Sequence, residues 1–592
     1  MKTSYVMAPQ RASGMYVAGM LGLVLFTPSH TVHAQVAPPP HALPSTSSGA
    51  LLQQNQSLLS PDATNKPAQG SAEGNDVSDI APELEKDSGP KLLVKRFELD
   101  ETLPEPAAAH VQKLFKSVEA RELSYADITR VRILLNAILR NEVDLLAYAV
   151  LPDQKVDDGV VRFSIKHGSV EGLSLKNTSL VSDKTLMSYL PARGSDAKAP
   201  SLAELEQVAH RIDALSGVDS ARIGLAPGEK IGTTDATMVV TSTPRIRGAV
   251  LADNSGSPAS GANRVGVQAI INSPLGMGDQ FQGVALYAPP SHQGREGRGG
   301  HTVLGQASYE LPLGRDGIRG GVQYSRINYQ QGGPYKDIFD PNGFADVTGI
   351  YANKPLLQRD NANLTLGGTL DYKKLTDTFF ELSSRRSSIV AGAKLSGYKL
   401  GELAGRPNAV QFDATLVAGY LKRRELGAFD FDGLTPSGRF GKFVGNVEFS
   451  QKIRDGLSAS LKGSIQLANR HLDSSEQMGL TGAQAVRGYN SQLSSVDQGA
   501  VLSASLTQQI NPVPGLQASL FYDQGRGQIN KQHALDGAAN MITVKSAGLG
   551  LSYQYNKKVS INVTYAKRVG AAPLGQAVSD GSQTWVSATM LF

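Results

Sequence analysis

Several residue types and motifs that would point to an enzyme or to a disulfide-stabilised fold are missing from this sequence. Among 592 residues there is no cysteine, so neither a disulfide framework nor a thiolate metal site can form. The ten histidines form no H-E-x-x-H pair. A phosphate-binding G-x-x-x-x-G-K-[ST] loop and a G-x-S-x-G nucleophile elbow are also absent. We therefore expect no enzyme, no cofactor and no nucleotide-driven engine.

Long apolar runs and a strong charge imbalance are missing as well. Beyond a short stretch at the N-terminus, nothing approaches the ~18 consecutive apolar residues of a membrane-spanning helix, so any membrane span must be built from strands. The formal net charge is only +5, with a pI near 9.0. A charge this modest on so long a chain predicts no nucleic-acid partner.

The N-terminus has the pattern of a secretory signal peptide. The basic residues Lys2 and Arg11 precede an apolar segment at 15–26, and small residues at 32–34 offer a cleavage point. The apolar segment is too short to cross a bilayer as a helix. Residues 1–34 are therefore predicted to be a cleaved leader.

The following segment, residues 35–90, is rich in Pro, Ser, Gln and Asn. Such a composition buries too little apolar surface to order itself, so a linker is predicted. One island at 48–59 sets four leucines among glutamines. It is predicted to be a short helix that docks on another part of the molecule, because an isolated helix of this length is marginal in water.

Residues 91–243 have the pattern of two small α+β domains, at 91–168 and 169–243. Helices are expected at 107–118 and 125–140, the second capped by Ser124. One strand, two helices and two strands recur in each half, which is enough for two small cores. The other expected elements are strands at 92–94, 147–151, 160–165, near 173, 221–225 and 236–241, and helices at 183–190 and 202–215.

From residue 244 to the C-terminus, short segments alternate apolar and polar residues with a period of two. In the last one, Val586, Ala588 and Met590 would face one side, and Ser587 and Thr589 the other. A soluble sandwich also alternates in this way. Here the polar faces are small and uncharged, and the apolar faces carry aromatics near strand ends, as expected when lipid lies outside and water inside. The sequence therefore predicts a transmembrane β-barrel over 244–592.

Sixteen antiparallel strands can be counted in this region, and an even number returns both ends of the barrel to the periplasmic side. The turns expected on that side are short, whereas those on the outer side are mostly long, including a sixth outer loop at 471–497. A soluble barrel would have no reason to show this asymmetry. In the middle of the barrel, strands are expected at 350–359, 363–373 and 388–399.

Five short motifs follow one another along the chain, and each is weak when taken alone. In order, they are A-x-L-P-x-Q…G…G at Leu151, Pro152, Gln154, Gly159 and Gly168; L-x-P-G at Pro227 and Gly228; D-N-x-G-S with N-x-P-L-G-x-G-D at 253–257 and 272–279; V-R-G-Y at Val486, Arg487, Gly488 and Tyr489; and F-x-D-x-G at Asp523 and Gly525. A terminal Phe592 ends the last amphipathic strand, like the assembly signal of bacterial outer-membrane barrels.

Together and in this order, the motifs resemble those of the outer-membrane translocators of two-partner secretion. These proteins are the TpsB type, or ShlB/FhaC/HecB haemolysin secretion/activation family, within the superfamily of outer-membrane protein assembly factors. The resemblance implies two POTRA domains, a 16-stranded barrel and an N-terminal helix that plugs the pore. It also implies a bacterial outer-membrane location with the POTRA domains in the periplasm.

The resemblance further implies a set of partners. These are outer-membrane lipid, the barrel-assembly machinery during biogenesis, and a large secreted exoprotein with an N-terminal secretion domain. Activation of the exported protein is a further activity of the family. The class of the passenger stays open among cytolysin, adhesin, contact-inhibition toxin and heme-binding protein.

Arg487 and Asp523 are the residues expected to carry the pore function. Alternation along the thirteenth barrel strand puts Leu520 and Tyr522 on the lipid side and Asp523 in the lumen. The resemblance implies that the sixth loop folds back into the pore, where Arg487 meets this aspartate. An arginine fork can hold a carboxylate with two hydrogen bonds, which lysine cannot. Gly488 is expected to let the loop tip turn tightly.

The POTRA domains are expected to recognise the passenger. Each small sheet has an exposed edge to which an unfolded chain can add a strand, and the helix at 202–215 with its adjacent edge would frame the groove. A purely anchoring role is the alternative.

Two other functions compete with export. A barrel-assembly insertase of the same superfamily would share V-R-G-Y and the terminal Phe592, but it usually has more POTRA units and lacks the L-P-x-Q signature. A plain porin would need no POTRA repeats.

Overall fold

The computed structural model describes most of the chain from residue 91 onward, together with residues 47–55. The described residues are 47–55, 91–143, 147–156, 158–167, 169–191, 200–227, 233–290, 299–333, 336–359, 361–425, 436–491, 494–532, 540–570 and 581–592. They belong to two compact units: residues 91–243 in one, and residues 47–55 with 244–592 in the other. The predicted leader at 1–34 and most of the predicted linker at 35–90 lie outside the described residues.

The predicted docking helix is present but shorter than expected. Helix α1 spans Ser48–Gln54, with the Ser47 side chain as its N-cap and Asn55 as its C-cap. The helix was predicted to run to residue 59, but in the structure it ends at Gln54, before the C-cap Asn55. Residues 56–59 lie outside the described part of the chain.

The first unit contains short strands and four helices. In chain order they are β1 (Lys91–Val94), β2 (Arg96–Leu99), α2 (Ala107–Val118), β3 (Arg121–Ser124), α3 (Tyr125–Glu142), β4 (Ala147–Val150), β5 (Val160–His167), β6 (Ser169–Asn177), α4 (Asp183–Tyr189), α5 (Leu202–Asp213), β7 (Val218–Pro227) and β8 (Thr233–Ser242). All four predicted helices are found, with ends that differ by up to two residues. Reciprocal capping boxes start α3, from Ser124 and Asp127, and α5, from Ser201 and Glu204.

The same small sheet occurs twice in this unit. In the first sheet, β2 runs parallel to β5 and β4 antiparallel to it. In the second, β6 runs parallel to β8 and β7 antiparallel to it. The sequence missed β2 and β3, and β3 pairs with β1 in a separate ribbon. The assignment of these sheets to POTRA domains at 91–168 and 169–243 stays a prediction.

The second unit is dominated by one sheet that closes on itself. Its strands are β9 (Ile246–Asp253), β10 (Arg264–Asn272), β11 (Gln280–Ala288), β12 (His301–Pro312), β13 (Arg319–Gln330), β14 (Asn342–Arg359), β15 (Ala362–Phe379), β16 (Leu382–Leu403), β17 (Arg406–Glu425), β18 (Gly438–Arg454), β19 (Leu457–Ala468), β22 (Gln498–Gln509), β23 (Leu516–Gln528), β24 (Met541–Tyr555), β25 (Val559–Arg568) and β26 (Ser582–Leu591). A one-turn helix α6 (Lys336–Phe339) precedes β14, and the short strands β20 (Met478–Gly479) and β21 (Ser495–Val496) pair within the sixth loop.

The predicted 16-stranded antiparallel barrel is confirmed. Every strand pairs with its sequence neighbour, and β26 returns to pair with β9, so no free edge is left in the ring. Exposed and buried residues alternate along several of these strands, as predicted. On β23, for example, Leu520 is 58 % exposed whereas Phe521 is 6 % exposed.

The sequence underestimated the length of the middle strands. Strands β14, β15 and β16 run well beyond 350–359, 363–373 and 388–399 at their outer ends. The expected outer loop between β15 and β16 is replaced by a two-residue turn at Phe380 and Glu381, both with positive φ. The rule of long outer loops therefore fails at this one hairpin.

Candidate functional site

The inward face of β23 carries a buried carboxylate. Asp523 has no solvent-exposed surface, and the register of the barrel sets Ser503 of β22 and Ser546 of β24 directly beside it. Ser503 Oγ donates to Asp523 Oδ1 at 2.7 Å, and Ser546 Oγ donates to Oδ2 at 3.1 Å. Two hydroxyls solvate the carboxylate only partly, so a cation is needed to make its burial favourable.

The sixth outer loop, residues 469–497, supplies that cation. Arg487 Nη2 lies 2.6 Å from Asp523 Oδ1, and Nε lies 2.9 Å from Oδ2. The Arg487 backbone N–H also donates to Oδ2 at 3.1 Å. Its guanidinium carbon lies 3.4 Å from the Phe521 ring centre, and Trp585 Nε1 donates to its carbonyl at 2.8 Å. The structure thus joins the two side chains that the sequence paired, through a two-point fork and a stacked ring.

The two glycines of these motifs are required for space. A Cβ on Gly488 would lie 2.6 Å from Ser546 Cβ and 3.2 Å from the Arg568 backbone nitrogen. Gly488 lies in a turn at 487–488, but its φ is not positive, so a left-handed backbone is not what requires a glycine here. A Cβ on Gly525 would lie 3.0 Å from Val486 Cγ2. Both glycines let the loop tip approach the barrel wall.

Val486 and Tyr489 fasten the loop tip by packing. Their exposures are 0 % and 1 %, which is as complete as in a soluble core. The buried cluster around them combines loop and wall residues: Leu480, Val496, Val501, Ile542 and Val544. Together with Arg487 and Gly488, all four residues of the V-R-G-Y motif contact the barrel wall.

A second ionic anchor holds the base of the loop. Glu476, 3 % exposed, lies 2.6 Å from Lys373 Nζ of β15 and 3.0 Å from Lys442 Nζ of β18. Burial raises the pKa of Glu476, but attraction to Lys373 and Lys442 outweighs burial and lowers this pKa to about 2. Sequence reasoning missed this triad, because its members are far apart in the chain.

A third group of charges connects the loop to helix α1. Arg386 of β16 lies 3.1 Å from Asp473 of the loop and 2.6 Å from Asp377 of β15. The same Asp377 accepts hydrogen bonds from the Ser48 backbone N–H, at 2.7 Å, and from the Tyr329 hydroxyl, at 2.8 Å. One carboxylate therefore holds both α1 and, through Arg386, the loop.

Helix α1 lies in the lumen against this loop. Ser47 Oγ and Ser474 Oγ are 2.8 Å apart, and a Cβ on Gly49 would lie 2.6 Å from the Ser475 backbone nitrogen. Leu51 and Leu52 are 2 % and 7 % exposed. They pack on an apolar patch of inward-facing wall residues: Leu251, Val284, Leu286, Leu304, Ile327, Tyr329 and Val347.

The D-N-x-G-S segment contacts the other end of α1. Asp253 forms two hydrogen bonds with Arg264, at 2.8 and 3.0 Å. Arg264 Nη1 then donates to Asn55 Oδ1 at 2.9 Å. Gln54 Nε2 donates to the Ser255 carbonyl at 2.8 Å. This motif therefore positions the C-terminal end of the helix.

The same segment and the chain terminus close the barrel. Asn254 donates to the Thr584 carbonyl at 2.8 Å and accepts from the Val586 N–H at 2.9 Å. At the other end of the seam, Phe592 and Gly248 exchange backbone hydrogen bonds of 3.0 and 3.1 Å. The Phe592 side chain is 56 % exposed.

The motif residues of the first unit have local structural roles. Gln154 exchanges two hydrogen bonds with the Arg162 backbone, at 2.8 and 2.9 Å. Gly159 has a φ of +74°, and a Cβ there would lie 2.8 Å from the Leu93 carbonyl oxygen. Leu151 packs against the first core, Pro152 is exposed and Pro227 ends β7. Gly168 and Gly228 lie outside the described residues.

Two searches bear on other kinds of site. Within the described ranges, no group of three or more His, Asp or Glu side chains is arranged to hold a metal ion. None of the helices that the structure describes combines the length and apolarity needed to cross a bilayer.

Comparison with known proteins places these features in a family. The model described as "Haemolysin secretion/activation protein ShlB/FhaC/HecB" matches residues 232–553. The heme/hemopexin transporter protein HuxB of Haemophilus influenzae is 24 % identical over 518 residues, covering 85 % of this chain and 88 % of that protein. The outer membrane transporter CdiB of Dickeya dadantii is 24 % identical over 420 residues, covering 68 % and 71 %.

A solved structure shares the fold. The structure of CdiB from Escherichia coli superposes with a TM-score of 0.64 and 18 % identity, covering 95 % of this chain and all of that one.

Proposed function

Because this chain belongs to the haemolysin secretion/activation family ShlB/FhaC/HecB, the two-partner secretion transporters of the bacterial outer membrane, we propose that it exports one large unfolded exoprotein through its barrel. Membership of this family favours export over the insertase and the plain porin. The observation that carries the proposal is the occupied lumen: a barrel wall encloses a helix and a loop that are held by different kinds of contact. An exported protein that crosses the barrel unfolded and folds outside the cell needs an open pore, so the element that fills the pore must be able to leave it.

Helix α1 is the occupant that we propose to leave during export. It is joined to the wall by hydrogen bonds and two leucines, and it precedes the 56–90 segment, whose composition predicts a linker. Its departure would free the apolar patch and the Asp377 carboxylate while the loop stays attached. The loop would then line the widened pore.

The small sheets of the first unit are proposed to receive the passenger. In the second sheet, β7 is an outer strand that pairs only with β8 among the described residues. The Ala221 N–H points away from β8 and donates to Asp213 of α5 at 3.1 Å, so the outer edge of β7 faces the groove beside α5. An extended segment can add to such an edge by main-chain hydrogen bonds, which select for an unfolded chain before they select for side chains.

Photo-crosslinking tests this groove. A crosslinking residue at Arg222, exposed on β7, is expected to capture the passenger, whereas one at Lys176, exposed on the opposite edge strand β6, should capture much less. Equal capture at both positions would contradict binding of the passenger at the β7 edge, but it would leave the proposal of export unchanged.

Folding of the passenger outside the cell is proposed to bias transport, because a folded chain cannot return through the pore. A passenger variant that cannot fold should stall in the barrel and be recovered as a crosslinked intermediate. Its release into the medium at the normal rate would show that another force drives export.

The export experiment tests the function as a whole. Cells that express this protein with the large secreted protein encoded beside it should release that protein, and removal of this transporter alone should abolish release. If release does not depend on it, and other barrel proteins are depleted on its removal, the insertase would be the better assignment.

A further inference from the structure

A cluster of cations lies on the lipid-facing side of the barrel, away from the lumen. Lys374 of β15, Lys422 of β17 and Arg439 of β18 are all exposed. They share a face with Tyr372, 36 % exposed, and Tyr420, 52 % exposed. Their sequence neighbours Leu375, Leu421 and Phe440 are buried on the opposite, inward face. The three cations therefore point away from the pore.

The strand register brings these cations together. Lys374 pairs with Ser387 of β16, and Ser387 pairs with Lys422. Because neighbouring strands are ~4.8 Å apart, the two lysine backbones lie about 10 Å from one another. Arg439 pairs with Tyr420, so it lies diagonally from Lys422 at about 7–8 Å. All three side chains can reach one anion of phosphate size.

No carboxylate neutralises this cluster within the described part of the chain. Asp346 lies opposite Lys374 on β14, but it accepts from the Tyr324 hydroxyl at 2.7 Å and pairs with Arg326 at 3.4 Å. Lys374 Nζ instead lies 5.6 Å from the Tyr372 ring centre. Arg326 is thus a cation of the same face that pairs with a carboxylate, whereas none of the carboxylates in the described ranges pairs with Lys374, Lys422 or Arg439.

The cluster lies at head-group height. On β15, Lys374 lies two residues beyond Tyr372 in the direction of the outer surface, and on β17 Lys422 lies two residues beyond Tyr420. Aromatic girdles mark the interface of such barrels, and below Tyr420 the face continues with Leu416, 65 % exposed. Strand β15 runs outward from the periplasmic side, so this girdle is the outer one. The outer leaflet of a bacterial outer membrane is built of phosphorylated glycolipid.

We propose that Lys374, Lys422 and Arg439 bind the phosphate groups of a lipid A-type glycolipid, whose acyl chains lie along the tyrosine and leucine face below. Arginine and lysine form charge-assisted hydrogen bonds to phosphate, and the apolar face supplies the binding of the tails. The site would lie on the outer face of β15 and β18, the strands whose inward-facing Lys373 and Lys442 hold Glu476 of the sixth loop.

The proposal can be tested by heating the purified full-length transporter in detergent and monitoring its unfolding through the change in its gel mobility. Diphosphorylated lipid A is expected to raise the unfolding midpoint of the wild type. The double variant K374Q/K422Q is expected to lose about half or more of that rise, because ligand stabilisation follows affinity. The control K354Q/K399Q removes two exposed lysines from the periplasmic halves of β14 and β16 and should respond like the wild type.

Two further ligands test whether the site recognises the phosphate groups and the glycolipid. Lipid A stripped of its phosphates should give little rise, and phosphatidylglycerol should give less than lipid A. An equal response of K374Q/K422Q and wild type, or equal protection by dephosphorylated lipid A, would overturn the site. Equal protection by phosphatidylglycerol would overturn the assignment to a glycolipid. Native mass spectrometry of bound lipid on R439Q gives a readout that does not depend on stability.

Discussion

The lumen holds two elements that are fastened in different ways. The sixth loop is held by buried charges: Asp523 with Arg487, Glu476 with two lysines, and Asp473 with Arg386. Breaking a buried pair by removing one partner costs about 3–5 kcal/mol, because the other charge is left uncompensated. Helix α1 contributes no charged side chain of its own: it is held by two leucines and by four hydrogen bonds, two of which have Asp377 or Arg264 as the partner.

The net free energy of docking α1 is close to zero, because the contacts that stabilise it are about as large as the cost of ordering the helix. Burial of Leu51 and Leu52 contributes about 3–6 kcal/mol at ~1.5–3 kcal/mol each. Its four contacts through Ser47, Ser48, Gln54 and Asn55 add about 4–9 kcal/mol, because two of them involve a charged group. Ordering seven residues costs about 7–14 kcal/mol. This balance is consistent with the proposal that α1 is released during export while the loop stays attached.

Removing the loop cation should have the largest effect. Arg487→Ala leaves Asp523 buried with only two hydroxyls, so the loop tip should detach and export should fall at least about 10-fold, in line with 3–5 kcal/mol. Passenger in the medium, normalised to inserted barrel, measures the effect. Arg487→Lys serves as the control and should retain part of the export, since it keeps the charge but loses the fork. Normal export by Arg487→Ala would show that the loop tip need not be anchored.

The base of the loop should be the next most sensitive point. Glu476→Gln leaves Lys373 and Lys442 buried without a carboxylate and should lower the heat stability of the barrel by about 3–5 kcal/mol. Because the pKa of Glu476 is lowered to about 2, its stabilisation is complete above about pH 4.5 and is lost only as the pH falls towards 2. Single-channel conductance of the wild type should therefore be unchanged between pH 7 and pH 5, and a change in that window would contradict the anchor.

Deleting residues 47–55 should open the pore without loss of the barrel. The mean conductance in planar bilayers is expected to rise, because the deletion removes α1 and uncovers the apolar patch around Ile327. Heat stability of the barrel should change little. Unchanged conductance would refute the plug.

Weakening one contact of α1 should give the smallest effect. Leu51→Ala costs about 2–5 kcal/mol of packing, so α1 should be undocked for more of the time and openings should become more frequent. The matched variant Gln53→Ala, on a partly exposed position of the same helix, should keep the wild-type opening frequency. Equal behaviour of the two variants would mean that the leucines do not hold the helix.

The sequence allowed the barrel and the loop pair to be predicted, and particular residues explain why. Alternation along β23 was enough to place Asp523 inward. The V-R-G-Y resemblance supplied its partner, which spacing alone could not have done. The Glu476 triad was not predictable, because Lys373, Lys442 and Glu476 meet only once the strand register is known.

The errors in the strands also have a physical cause. The turn at Phe380 and Glu381 places two non-glycine residues at positive φ, although such hairpins favour Asn and Gly. The polar run at 383–388 then looks like a loop, although it continues β16. Likewise, Gly488 has a spatial role that no local pattern could show.

Two engineered disulfides test the central claim, that α1 leaves the lumen during export while the loop tip stays. The native chain contains no cysteine, so each new pair is the only one present. Ser47→Cys with Ser474→Cys joins two atoms now 2.8 Å apart and locks the helix. Val486→Cys with Gly525→Cys ties the loop tip to the wall, where a Cβ would lie 3.0 Å from Val486 Cγ2. Because both positions belong to the packed loop tip, the oxidised form of this variant is compared only with its own reduced form.

Passenger release is then measured before and after reduction. We expect oxidation to stop export in the helix-locked variant and reduction to restore it, while oxidation leaves the export of the loop-locked variant at the level of its own reduced form. Export by the oxidised helix-locked variant, or a block that appears only in the loop-locked one, would contradict the account.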